Sequence, residues 1–139
     1  MKTTIYTILA FMLLSSSTCK KEQESPDFKK QLVGKWQYTG KSGGYAGKSQ
    51  KADPAVVTVL EFKKDNAFLR SENDQVKLQG TYSLTRLKSI YSGKEENAVQ
   101  FDATADPQNK GSIITLRNDS LTIADNVYDG FTSDYIRIK

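Results

Sequence analysis

The feature that most limits what this chain can fold into is a two-residue alternation broken by frequent turns. In Val76-Lys77-Leu78-Gln79-Gly80-Thr81-Tyr82-Ser83-Leu84, the Val, Leu, Gly, Tyr and Leu positions share one face and Lys, Gln, Thr and Ser the other. Successive side chains of a strand point to opposite faces, so the pattern predicts a strand with one wet side. The same alternation recurs more weakly at 33–39, 55–62, 67–72, 86–91, 98–102, 112–117, 120–124 and 134–138. Turn-forming clusters separate these runs: Lys64-Asp65-Asn66, Asn73-Asp74, Ser92-Gly93-Lys94, 106–111 and Asn118-Asp119. The predicted fold class is all-β, an antiparallel meander of eight to nine strands closing into a barrel. Closure removes the exposed edges that a single open sheet would carry. A two-sheet sandwich is the competing arrangement.

One short helical turn is expected ahead of the strands. Ser25-Pro26-Asp27-Phe28 has a capping residue, a proline suited to the first helical position and an acid in the first turn. Phe28 and Leu32 lie four apart, so a single turn can lay both on a core.

The N-terminus has a different character. Lys2 precedes a ten-residue apolar run, Ile5 to Leu14, and small residues then lead to Cys19. This is the pattern of a secretory signal peptide over 1–18, and the run is too short to span a hydrocarbon core that needs about 20 residues. Cys19 is the sole cysteine in the chain. The segment resembles a relaxed bacterial lipobox, followed by Lys20-Lys21-Glu22-Gln23-Glu24, which resembles the charged surface-export signal of Bacteroidetes lipoproteins. That resemblance implies lipidation at Cys19, with 19–26 as lipidated cysteine and polar tether and 27–139 as the folded domain. It implies an outer-membrane lipoprotein of the cell envelope, on the periplasmic face or the cell surface. The formal net charge is +4, one unit of it from Lys2, and the lysines are dispersed. No nucleic-acid partner is expected from so mild and scattered a charge.

Gly34-Lys35-Trp36, just after the helical turn and opening the first strand, matches the Gly-x-Trp motif of lipocalins and related calycins. The later phrases VLEFKKDN, GTYSL, DSLTIAD and DYIRIK look like the lipocalin-like domains of Bacteroidetes lipoproteins. The likeness spans about Leu32 to Lys139. It implies a barrel whose tryptophan sits at a closed end beneath a basic side chain from the last strand, for which Arg137 is the candidate. It also implies that residues 40–54 form a loop over an open mouth, where Tyr45 could close on a ligand.

Other motifs carry less. Ser42 to Ser49 (SGGYAGKS) lacks the first glycine of a phosphate-binding loop, and a strand pattern rather than a helix follows it. Residues 125–134 offer carboxylates without calcium-loop spacing. Asp119-Ser120-Leu121 resembles a Bacteroidetes O-glycosylation site, making Ser120 a candidate. The chain has no histidine, hence no imidazole base and no His-ligated zinc. Glu61 and Asp102 are the only acids in apolar strand surroundings, and nothing in the spacing brings them together. No catalytic residue, metal or cofactor is expected, and the chain does not read as an enzyme.

The expected function follows from the barrel interior. Leu60, Phe62, Val76, Leu78, Tyr82, Leu84, Val99 and Phe101 are assigned to the inner face, where side chains fill a small barrel or leave room for one ligand. The reading is a lipid-anchored protein binding a small apolar or amphipathic molecule, with Trp36, Tyr38, Tyr45, Phe62, Tyr82 and Phe101 as candidate contacts. The alternative is a filled barrel acting as a protein-interaction module through its 40–54 and 125–134 loops.

Overall fold

A computed structural model describes residues 26–102 and 111–139. The signal-peptide, Cys19 and tether assignments over 1–25 lie outside the described residues. Among the described residues the chain forms one helix, α1 (Pro26–Leu32), and nine strands. These are β1 (Gly34–Gly43), β2 (Lys48–Lys51), β3 (Thr58–Phe62), β4 (Ala67–Glu72), β5 (Gln75–Lys88), β6 (Glu95–Phe101), β7 (Ser112–Arg117), β8 (Ser120–Asp125) and β9 (Phe131–Ile138). Eight of them form an antiparallel meander, β1-β3-β4-β5-β6-β7-β8-β9, closed by pairing of β9 with β1. β2 is an extra strand that pairs with the distal part of β1, Gly40 to Gly43, while β3 pairs with its proximal part, Gly34 to Gln37.

The turns follow their residues. Asn73 and Asp74 both have positive φ (48° and 63°), the conformation that lets a two-residue connection follow the twist of β4 and β5. Asn66 and Asn118 occupy the same left-handed region at their turns, which asparagine tolerates better than most residues.

Three sequence expectations need correction. β2 (Lys-Ser-Gln-Lys) lies inside the segment expected to be loop. All four of its residues are exposed, so it carries no apolar alternation, and its pairing comes from β1. The 86–91 run is not a separate strand: Arg86 to Lys88 prolong β5, and the chain turns at Ser89. Val76 faces outward. The β4–β5 register shifts between Arg70 and Ser71, with Arg70 opposite Leu78 but Ser71 opposite Val76. Such a bulge inserts one residue, here Lys77, and reverses the facing of everything before it.

The core lies inside the barrel at the level of Trp36. Trp36, Leu60, Phe62, Phe68, Tyr82, Val99, Ile114, Leu121 and Ile123 are buried together, with Leu32 of α1 beneath them. Phe62 meets Tyr82 edge-on at 5.0 Å between centroids, and Phe68 meets Phe101 at 4.7 Å. Such pairs add about 0.5–1.5 kcal/mol each beyond the area they bury.

Candidate functional site: a barrel interior sealed at one end

The α1 end is sealed by a connected set of side chains. Phe28 and Leu32 of α1 pack on the core. The Trp36 Nε1–H donates to the Leu32 carbonyl at 2.8 Å, satisfying an indole that is fully buried. Arg137 is the cross-strand partner of Trp36, so both point to the interior, and its guanidinium carbon lies 4.1 Å from the Trp36 ring centroid. The guanidinium donates to the carbonyls of Val33 (3.2 Å) and Gln31, groups at the helix C-terminus with no partner inside the helix. Outside the stack, Asp119 Oδ1 lies 3.8 Å from Arg137 Nε. Gly34 leaves room for this arrangement: its φ is +140°, and a Cβ there would meet Arg137 Nη1 at 2.7 Å.

The opposite end is built differently. Past the aromatic level, the inward positions are Tyr38 on β1, Thr58 and Leu60 on β3, Arg70 and Glu72 on β4, Leu78 on β5, and Ser133 and Tyr135 on β9. Their inward facing follows from register: Leu60 opposes Arg70, Arg70 opposes Leu78, Tyr38 opposes Tyr135, and Tyr135 opposes the buried Leu121. Leu60 is buried, whereas Tyr38, Leu78, Ser133 and Tyr135 are half-buried and the Arg70 side chain is 48% exposed. The Tyr38 and Tyr135 rings meet edge-on at 5.6 Å. Burial raises the Tyr135 phenol pKa, with Tyr38 and Asp125 adding to the effect and Ser133 and Arg70 opposing it. Tyr38 is raised by burial and then by the Asp134 carboxylate. Both phenols are therefore hydrogen-bond donors at neutral pH.

Three loops gather near the distal ends of β1 and β8. The Gly44 N–H donates to the Gly130 carbonyl at 3.1 Å, tying the β1–β2 loop to the β8–β9 loop. Asn126 accepts from Ile90 N–H (2.9 Å) and donates to the Lys88 carbonyl (3.0 Å), and the Tyr91 hydroxyl donates to the Asp125 carbonyl (2.8 Å). These bonds bring in the β5–β6 turn. The gathered loops leave large apolar side chains in solvent: Tyr45 is 94% exposed and Tyr128 87%, with Tyr91, Val127 and Phe131 exposed beside them. Lys41 lies over the Phe131 ring at 4.7 Å.

The sequence candidates thus divide. Trp36, Phe62 and Tyr82 are buried in the packed floor, and Phe101 packs against them half-buried. Tyr38 stands above that floor on the open side. Tyr45 is on the β1–β2 loop, directed to solvent. Gly34, Trp36 and Arg137 meet at the sealed end. Ser120 is exposed at the start of β8. Of the two acids in apolar strands, Asp102 accepts from the Thr81 N–H (2.7 Å) and hydroxyl. Glu61 faces outward, lining a shallow external groove of about 330 Å³ with Val59, Leu69, Val76 and Ile138. Arg70, Ser133 and Tyr135 were missed by the sequence reading. Counting by twos from Phe68 reaches Arg70, and from Arg137 reaches Tyr135, so strand parity held the signal.

No protein-family model, curated protein or solved structure matches this chain. The architecture itself defines the class: an all-β, eight-stranded closed antiparallel barrel with one added strand and a helical turn at its sealed end.

Proposed function

We propose that this protein is a lipid-anchored envelope protein of lipocalin-like type that binds a small apolar or amphipathic molecule in the open half of its barrel. One observation carries the reading. The inward wall is sealed at α1 by Trp36 and Arg137, yet stays half-exposed at Tyr38, Leu78, Ser133 and Tyr135. A ligand seated there would cover Leu78 and the tyrosine rings, gaining about 25 cal/mol per Å² of apolar surface removed from water. The floor below is already packed, so specificity would come from the upper wall. With α1 at the sealed end, a tether from Cys19 would direct the open end away from the anchoring membrane.

Native mass spectrometry of the gently purified protein tests the binding reading. A discrete added mass that is lost on denaturation supports it; a bare mass that persists after incubation with envelope lipid extract counts against it. Anchoring is tested separately, since Cys19→Ala should abolish incorporation of labelled fatty acid and release the protein from membranes.

A second reading rests on the gathered loops. Exposed Tyr45, Tyr91, Val127, Tyr128 and Phe131 suit a protein-interaction surface, because scattered single apolar residues are ordinary but a cluster is not. Loss of partner capture on replacing Tyr45 and Tyr128 by serine, with ligand binding retained, would favour it.

A further inference from the structure

We propose that the outer wall of the barrel around β1, β3 and β4 is a self-association surface, on which a second copy of this chain docks about a two-fold axis. The outside of an antiparallel wall that faces water ordinarily carries polar side chains. Here Val59, Leu69, Val76 and Ile138 share one external groove of about 330 Å³, and Val76 and Ile138 are exposed. Ile136, also exposed, extends the apolar area, because it opposes Gln37, which in turn opposes Val59. These residues come from β3, β4, β5 and β9, so the folded wall assembles them side by side. A contiguous apolar patch of this kind marks an interaction site, where single scattered residues would not.

The charges in the groove decide what covers it. Lys35 and Glu61 lie directly opposite each other across β1 and β3, and both line the groove. Neither takes part in an ion pair among the described residues. A basic rim would suit an anionic lipid surface, and a rim of either sign a partner of the other. One cation beside one anion instead matches its own image. A half-turn about an axis running between them sets each Lys35 against Glu61 of the other copy, the self-complementary arrangement that a two-fold interface requires. The walls then stack sheet on sheet, about 10 Å apart, with the aliphatic side chains between them. Only a few residues of each strand take part, so the dimer is reversible rather than obligate.

The test is analytical ultracentrifugation of the purified protein over a wide concentration range, with Lys35→Glu, Glu61→Lys and an equimolar mixture of the two variants. Lys35 is exposed and Glu61 faces outward, so both variants should keep the fold, which Trp36 fluorescence checks. The unaltered protein should dimerise as its concentration rises. Each variant alone places two like charges in the groove and should associate about tenfold or more weakly. The mixture should recover association, because one variant presents two acids and the other two bases. A protein that stays monomeric at every concentration, a dimer indifferent to both variants, or a mixture no better than its components would overturn the proposal. Binding of a monomeric protein to anionic vesicles, lost in Val76→Asp, would also overturn it and assign the wall to a lipid surface.

Discussion

Arg137 and Trp36, at opposite ends of the chain and paired across the β1–β9 seam, form the lock that closes the barrel. The guanidinium lies 4.1 Å from the indole centroid and at the same time holds the carbonyls of Gln31 and Val33 at the end of α1. One side chain thus joins the last strand, the first strand and the helix. Arg137→Met keeps the length and loses the donors and charge. It should destabilise the protein by about 1–3 kcal/mol, from lost hydrogen bonds and a lost cation–π contact. Denaturant unfolding followed by fluorescence of Trp36, the single tryptophan, reads this directly.

Gly34 should be as sensitive as the lock it accommodates. A Cβ at Gly34 meets Arg137 Nη1 at 2.7 Å, in a backbone conformation L residues rarely adopt, whereas at Gly47 nothing lies within 4 Å. Gly34→Ala should cost about 1–3 kcal/mol, while Gly47→Ala should cost no more than about 1 kcal/mol. Paired melting curves of the two variants decide it.

The bulge in β5 makes a sharp prediction about neighbours of similar chemistry. Val76 faces out and Leu78 faces in. Val76→Thr should change stability by less than about 0.5 kcal/mol. Leu78→Ala should cost about 2 kcal/mol or more, because the lost side chain lies against the core. Equal effects would remove the bulge.

Much of this architecture was legible in the sequence because alternation and turn chemistry are local. The Val76 to Leu84 pattern revealed β5, Asn73-Asp74 its turn, and Gly34-x-Trp36 the start of the barrel. What escaped was set by partners. β2 carries no apolar signal of its own and exists through the backbone of β1. Val76 reads as inward until the register with Ser71 is known. Arg70 hid inside Phe68-Leu69-Arg70, where a charge at an inward position looks like the end of a pattern rather than part of a site. Trp36, Phe62, Tyr82 and Phe101 were legible as interior but not as floor, since packing of Phe62 on Tyr82 and Phe68 on Phe101 depends on distant strands.

The two phenols give a pH signature. Tyr38 and Tyr135 have folded-state pKa values above the usual 10.0. The unfolded chain therefore releases these protons first as pH rises, and the folded state binds more protons through that window. Their contribution is complete below pH 10 and should be lost as pH climbs through the raised folded values. Stability should decline in that alkaline range, and less steeply in the Tyr38→Phe, Tyr135→Phe double variant. Urea midpoints measured across alkaline pH for both proteins check the sign.

A ligand bound inside the barrel, above the aromatic floor, would touch a different set of side chains from one lying in the external groove. Methyl-resolved NMR during titration with octanoate separates the two most directly, because interior and exterior walls carry different methyl groups. Binding inside the barrel predicts shifts at Leu60, Leu78 and Ile123, with Val59, Leu69, Val76 and Ile138 of the external groove unmoved. Shifts confined to the external groove, or no shifts at saturating ligand, would contradict it.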